Sequence, residues 1–311
     1  MIISKPQNSI DLIEKLPTVR GKYDLNAKIA KYTWFRTGGP AEVLYRPADI
    51  EDLANFLYEK PRDIPITLLG VGSNVLVRDG GIPGVVIRLG RPFSTIRTEG
   101  SQIYAGAMAL DYNVAKVARD EAISGFEFLA GIPGTIGGGL RMNAGAYGRE
   151  FKDIVTQVMV ITQQGKIESL SPEDWGPRYR GCNISTNWVF TGCLMSGSWG
   201  NKTDITRAME LVQETREIAQ PIRERTGGST YKNPNGNKAW ELIDRSGCRG
   251  LRLGNAQVSK KHCNFLVNLG GATAADIEGL GEEVRRRVRE VTGVELEWEL
   301  ERIGTPAEDI S

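Results

Sequence analysis

The stretch Ala130–Gly148, AGIPGTIGGGLRMNAGAYG, places seven glycines within nineteen residues and carries one charged side chain, Arg141. Such a run cannot build a side-chain core. What glycine offers is positive φ and close approach of the backbone to something else, and consecutive amides freed in this way form concave nests for anions such as a pyrophosphate. A flexible linker is the alternative. Linkers are usually rich in Ser, Gln and charge, whereas this run is threaded with Ile132, Pro133, Ile136, Leu140 and Met142, so a buried ligand cradle is the stronger reading.

The 37 glycines among 311 residues are the one compositional excess, and they gather in such turns. A chain of this length exceeds what one core comfortably serves, so two or three domains are expected. Lys plus Arg at 39 against Asp plus Glu at 38 speaks against a nucleic-acid or membrane-surface protein working by bulk charge. The N-terminus, MIISKPQNSIDLIEKL, lacks a basic start followed by a long apolar run, which predicts a cytoplasmic protein. Cys182, Cys193, Cys248 and Cys263 have no C-x-x-C spacing and read as buried thiols. His262 is the single histidine, so no metal site is expected.

Along the chain, Thr37-Gly38-Gly39-Pro40 is a turn before a short strand at 41–45. Asp49 sits where an N-cap belongs, and Ile50, Leu53, Ala54 and Leu57 recur at helical spacing until Pro61. A buried strand at 66–69 leads into Gly70-Val71-Gly72-Ser73-Asn74. The dinucleotide fingerprint fails there, because Val75 stands at the third glycine position and Gly90 where a ribose-binding acid would be wanted. Strand 85–89 and a helix from Asp111 precede the glycine run; strands at 158–161 and 188–194 follow it, the first closed by Gln164-Gly165. The character changes near Thr203. A polar helix is expected over 206–225 with Leu211, Ile218 and Ile222 as its apolar contacts and Pro221 limiting it, then a helix at 240–245, a strand at 265–269, and a long helix from Thr273. In that helix Ile277, Leu280, Val284, Val288 and Val291 form one stripe opposite Arg285, Arg286, Arg287 and Arg289. The last strand, 295–302, alternates strictly, with Leu296, Trp298 and Leu300 on one side and Glu295, Glu297, Glu299 and Glu301 on the other.

Thr37-Gly38-Gly39, LGVGSNVL at 69–76, AGIPGTIGG with RMNAGAYG, Tyr179-Arg180, GGSTYKNP at 227–234, SKKH at 259–262 and the acidic WEL-x-R-I-G ending at Gly304, taken together and in order, resemble the UDP-N-acetylenolpyruvoylglucosamine reductase family, in its shorter subtype. The resemblance runs from Thr33 to Gly304. It implies an α+β chain: an N-terminal lead-in over 1–35, a two-subdomain FAD-binding fold of the vanillyl-alcohol-oxidase (PCMH) type over 36–203, and a C-terminal α/β substrate domain over 204–311. The implied activity is NADPH-dependent reduction of UDP-N-acetylglucosamine enolpyruvate to UDP-N-acetylmuramate through non-covalent FAD, in peptidoglycan precursor synthesis. A UDP-sugar is then the substrate, a monomer is favoured, and no nucleic acid or membrane is involved. Gly139 stands where the family suggests alanine, and Glu301 where it suggests a basic residue.

The reaction needs a hydride at one alkene carbon and a proton at the carbon bearing the carboxylate, so groups aimed at developing enolate charge are wanted. The resemblance selects Arg180 and Glu299 for that charge and Ser229 as proton donor. From the residues alone Arg180 could be a surface arginine, Ser229 a turn serine and Glu299 a solvated carboxylate like its three neighbours. For the cofactor the motifs offer Thr37, Gly70, Gly72, Ser73 and Asn74, then Gly131, Ile132, Pro133, Gly134, Gly137 and Gly138, and Asn143, Ala144 and Gly145. Lys232 and Asn233 are candidates for the UDP diphosphate. His262 reads equally as a structural histidine or a substrate contact. Another flavoenzyme of this cofactor fold, or a nucleotide-binding sensor without turnover, are the competing readings.

Overall fold

The computed structural model describes residues 11–307. The start of the N-terminal lead-in, with most of the signal-sequence reading, and the tail of the C-terminal segment lie outside the described residues. The chain forms two compact units: one holds the chain up to Leu25 with Val43–Gly70 and Val85–Arg216, the other Asn26–Glu42, Val71–Gly84 and the chain from Glu217 onward. Residues 26–42 and 71–84 therefore group with the C-terminal segment, although they lie far from it in sequence.

The first unit contains two apolar cores. In the smaller, the helix Ile50–Glu59 begins where Asp49 accepts a hydrogen bond from the Asp52 amide, the N-cap its sequence predicts. Its buried face, Leu53, Phe56 and Leu57, packs with Val43, Tyr45, Val85 and Ile87. The strand Ile66–Leu68 runs parallel to Ile82–Ile87, with Ile66 opposite Val85 and Leu68 opposite Ile87. The larger core lies on a five-stranded sheet ordered Ile167–Leu170, Val155–Ile161, Val189–Ser196, Gln102–Gly106 and Ile96–Glu99, with all neighbours antiparallel. Gly165, at φ 75°, closes the first hairpin. Val158, Val160, Cys193 and Met195 are buried against Val114, Ala118, Ile136 and Leu140, each large apolar side chain contributing roughly 1.5–3 kcal/mol by leaving water.

The polar helix differs from expectation in bounds and in phase. It spans Lys202–Ala219, ending before Pro221, and Arg225 belongs to the short strand Arg225–Thr226. Ile205, Met209 and Val212 are its buried residues, while Leu211 (62%), Ile218 (77%) and Ile222 (37%) are exposed. Two apolar stripes share this helix, and tertiary packing selects the other one.

In the second unit a sheet ordered Arg225–Thr226, Leu266–Asn268, Ala256–Val258 and Arg252–Leu253 shares a core with the helix Ala274–Thr292. That helix opens on a reciprocal capping box between Thr273 and Asp276 and closes on Gly293 in the left-handed region. Ile277, Leu280, Val284 and Val288 are buried as predicted; Val291, the last residue but one of the helix, is 58% exposed. The basic face carries ion pairs, Arg285 to Glu282, Arg286 to Glu283 and Glu290, Arg287 to Glu283, which at such exposure add little to stability. The expected strand over 295–302 is a strand only at Glu301–Ile303, which pairs parallel with Val75–Val77. Upstream, Leu296 and Leu300 are buried and Trp298 packs against the same core without a ladder partner beyond one bridge to Tyr231. Alternating burial therefore persists where the hydrogen-bond ladder does not.

Candidate active site

Inside the first unit Gly70, the residue that opens one glycine turn, meets the longer glycine run at Thr135. A Cβ on Gly70 would lie 3.1 Å from the Thr135 hydroxyl oxygen, and one on Gly138 3.7 Å from the same atom. Thr135 is thus a hydroxyl flanked by two backbones stripped of side chains, an arrangement that admits a phosphate oxygen. Sequence reasoning passed over Thr135; its signal was a hydroxyl set inside PGTIGG.

Most other glycines of the run are explained by protein packing. A Cβ on Gly131 would strike Tyr147 (2.7 Å), on Gly134 the Asp111 carboxylate (2.8 Å), and on Gly137 Ala107 (3.0 Å). The amides of Ile136 and Gly137 already donate to the carbonyls of Ala109 and Ala107. Ile136 and Leu140 belong to the apolar core, which leaves Ile132 and Pro133, both partly exposed, as the apolar wall available to a ligand. Asn143 is fully buried in the left-handed conformation (φ 40°). Its Nδ2 donates to Glu150 Oε2 (3.0 Å) and to the Arg178 carbonyl (3.2 Å), and its Oδ1 accepts from the Lys152 amide (3.0 Å), so both of its donors are engaged within the protein. Ala144 and Gly145 follow, Gly145 pairing with Glu150 in a two-residue ladder. Arg180 sits at φ 54° in the tight turn Arg178–Gly181, its guanidinium over the Tyr179 ring at 4.9 Å. A non-glycine residue in this region costs on the order of 1–3 kcal/mol and persists only where its surroundings dictate it.

The second unit brings together Ser73, Asn74, Ser229 and Glu299. A Cβ on Gly228 would lie 3.6 Å from the Ser73 carbonyl. Asn74 Nδ2 donates to the Glu299 carbonyl (3.0 Å), the Glu299 amide donates to the Thr230 carbonyl (2.9 Å), and the Glu301 amide donates to the Asn74 carbonyl (3.1 Å). Asn264 completes the frame, its carbonyl accepting from the Thr230 amide and its side chain bonding the Tyr231 amide and carbonyl. Glu299 is half-buried while Glu295, Glu297 and Glu301 are exposed. Burial therefore separates it from the three carboxylates that sequence could not tell apart from it. Lys232 pairs with Glu297 at 3.4 Å, and Asn233 Oδ1 accepts from the Ala239 amide at the start of the helix Ala239–Arg245. Gly72, at φ 67°, packs against the backbone of Tyr32 and Thr33, and the Thr37 hydroxyl donates to the Ala272 carbonyl at 2.8 Å. Burial lowers the His262 pKa; its Nδ1 accepts from the Asn264 amide, and its ring stands edge-on to Phe265 at 4.9 Å, which makes it part of this frame. Arg180 belongs to the first unit, Ser229 and Glu299 to the second.

Asp111 was not anticipated as a special residue. It is completely buried beneath Gly134, and neither of its carboxylate oxygens has a hydrogen-bond partner among the described residues. Burial raises its pKa well above the carboxylate range and helps raise that of Cys193. A raised folded-state pKa means that the folded chain binds more protons than the unfolded one, so this group's contribution is most favourable below the ordinary carboxylate pKa and is lost as pH rises toward the folded value. Asp111→Asn removes that dependence. Its melting temperature should match the parent near pH 4 and exceed it increasingly toward pH 8, by about 1 kcal/mol of stability or more; an offset constant across pH would show the carboxyl to be neutralised another way.

Comparison with known proteins locates these features in one lineage. Residues 41–171 match the family model of an FAD binding domain, and residues 220–303 match that of the UDP-N-acetylenolpyruvoylglucosamine reductase C-terminal domain. The chain is 56% identical to the UDP-N-acetylenolpyruvoylglucosamine reductase of Parvibaculum lavamentivorans over 94% of each chain, and 53% identical to that of Rhodospirillum rubrum over 96% of each. Among solved structures it resembles the UDP-N-acetylenolpyruvylglucosamine reductase of Thermus caldophilus with a TM-score of 0.80 and 35% identity, over 92% of this chain and all of that one.

Proposed function

The chain belongs to the UDP-N-acetylenolpyruvoylglucosamine reductase family, and from that premise we propose that Arg180, Ser229 and Glu299 carry its catalysis. It is an FAD-containing oxidoreductase that uses NADPH to reduce UDP-N-acetylglucosamine enolpyruvate to UDP-N-acetylmuramate in peptidoglycan synthesis, on an α+β fold of the PCMH type with a C-terminal substrate domain. The observation that best supports the assignment is the half-buried Glu299, whose backbone is held by Asn74 and by Thr230, the residue after Ser229.

The residues fit the cofactor. Gly70, Thr135 and Gly138 offer a hydroxyl between two side-chain-free backbones for its pyrophosphate, with Ser73 and Asn74 on the turn that follows Gly70 and Ile132 and Pro133 as apolar contacts. The chemistry that bound FAD would supply is hydride transfer, from NADPH to the enolpyruvyl alkene. The protein supplies the rest. Arg180 places a permanent positive charge against the carboxylate as enolate charge grows there. The Ser229 hydroxyl gives its proton to the carbon bearing that carboxylate, and Glu299 steadies the same end of the substrate. Lys232 meets the diphosphate as a point charge, with Asn233 holding its loop through Ala239. In this reading the enzyme works as a cytoplasmic monomer; no helix among the described residues is long and apolar enough to cross a membrane.

One anaerobic experiment tests the whole assignment. NADPH should bleach the bound flavin, the enolpyruvyl UDP-sugar should restore its colour in equal amount, and acid precipitation should leave free FAD in the supernatant. Flavin retained in the pellet would indicate a covalently tethered oxidase, and reduced flavin indifferent to the sugar nucleotide would exclude this substrate.

A further inference from the structure

The strained turn that carries Arg180 is held by one end of one helix. The glycine helix Ile136–Met142 and its cap Asn143 share four hydrogen bonds with Trp175 and the loop that follows it. Trp175 Nε1 donates to the Leu140 carbonyl at 3.1 Å, and Asn143 Nδ2 donates to the Arg178 carbonyl at 3.2 Å. Arg141 Nη1 donates to the Ile184 carbonyl at 2.7 Å and its Nη2 to the Trp188 carbonyl at 2.9 Å, with the guanidinium over the Phe190 ring at 4.7 Å. The Arg178 carbonyl is also one half of the turn itself, accepting from the Gly181 amide at 3.2 Å while the Arg178 amide donates to Gly181 at 2.9 Å. Arg178 Nη1 to Asn183 Oδ1 (2.6 Å) and the Asn183 amide to the Trp175 carbonyl (3.1 Å) tie the loop to itself.

Arg141 is the unusual member. It is the one charged residue of the glycine run, it is partly buried, and its guanidinium donates to two backbone carbonyls and stands beside the Cys182 thiol. Taking a guanidinium partly out of water costs stability, and burial lowers the Arg141 pKa accordingly. A planar fork that spans two carbonyls four residues apart does what an apolar residue of similar volume could not: it fixes the course of the loop. Asn143 performs the complementary task at the turn, and its left-handed conformation sends the side chain back toward Arg178.

We propose that Arg141 and Asn143 are positioning residues for Arg180, so that the helix that begins at the Thr135 cradle and the turn that presents the catalytic cation move as one body. The proposal rests on the role assigned to Arg180 above. Its physical content is that Arg180, in a costly backbone conformation, presents its guanidinium from a loop that this helix pins; a displacement near 1 Å of a catalytic charge is enough to cost about 10²-fold in rate.

The test uses FAD-loaded protein and reads the half-reactions separately. Arg141→Met keeps the apolar stem and removes both donors; Asn143→Gly keeps a residue tolerant of positive φ and removes the bond to Arg178, and it serves if the first variant folds poorly. Either should retain FAD and be reduced by NADPH at close to the parent rate, yet reoxidise on the enolpyruvyl UDP-sugar at least tenfold more slowly. Combined with Arg180→Ala, neither should slow reoxidation further, because the cation they position is gone. Amide hydrogen exchange of residues 177–183 should quicken in both variants. Equal losses in both half-reactions, or multiplicative losses in the double variants, would reduce the pair to ordinary structural residues. Unchanged exchange in that segment would overturn the positioning claim whatever Arg180 does, whereas Arg180→Ala reoxidising at the parent rate would overturn the assignment of Arg180 instead.

Discussion

Ser229→Ala is expected to keep its FAD and to be reduced by NADPH at nearly the parent rate, while reoxidation on the enolpyruvyl UDP-sugar falls by at least ~10²-fold. The asymmetry follows from where a proton is needed. Hydride transfer from NADPH requires none at a substrate carbon; the second half-reaction leaves enolate charge that must be quenched there. The structure makes the experiment clean, because the turn does not depend on the serine side chain. Gly228 supplies its positive φ, and Thr230 and Tyr231 are fixed by Asn264, with the Glu299 amide closing on the Thr230 carbonyl. Loss of the hydroxyl should therefore remove a proton donor and leave the frame standing. Cysteine at this position, whose thiol can also release a proton, should recover part of the rate. Stopped-flow traces of the two half-reactions decide the matter: a deficit shared equally between them would make Ser229 a turn residue.

Gly139→Ala should be the most damaging small change in the glycine run. A Cβ there would lie 2.5 Å from Phe151 Cε2 and 2.7 Å from its Cε1, inside the ring's van der Waals surface, and Phe151 is itself fully buried, edge-on to Phe128 at 6.4 Å. Neither partner can yield without moving the helix that carries Gly137, Gly138 and Arg141. Overpacking of this kind costs about 3 kcal/mol, a fall of roughly 10 °C in melting temperature for a chain of this size. Phe151→Leu in the same molecule should return most of it. A single alanine variant melting with the parent would show that the ring has room to swing. The glycine at this position is thus explained by a phenylalanine twelve residues downstream.

What sequence conveyed and what it withheld divide along physical lines. Helix starts at Asp49 and Thr273 were legible because capping chemistry is local. The glycine run was rightly marked as the place where backbone must approach something, yet sequence could not say what: at Gly131, Gly134, Gly137 and Gly139 the partner is the protein's own side chain or backbone, and at Gly70 and Gly138 it is the Thr135 hydroxyl. At Asn143, sequence could not show that Glu150, Lys152 and Arg178 engage the side-chain amide. The phase error on the helix Lys202–Ala219 came from two competing apolar stripes, between which only tertiary packing chooses. Alternation over 295–302 reported burial faithfully and pairing poorly, since a strand needs a neighbour as well as a pattern. Asp111 gave no sign at all, because an unpaired buried carboxyl runs against every rule by which sequence is read.

The parallel pairing of Glu301–Ile303 with Val75–Val77, together with the Asn74 bond to Glu299, binds an early turn to nearly the last described residues. On the ribosome, where the N-terminal part of a chain emerges first, Val75–Val77 must wait through the synthesis of most of the chain with its partner edge open. Contacts of such separation are also the slow ones to form. The turn bearing Ser73 and Asn74 is therefore completed among the last events of biosynthesis, and a chain interrupted before Leu300 holds an unfinished second unit with a bare β edge, the kind of surface that recruits other chains.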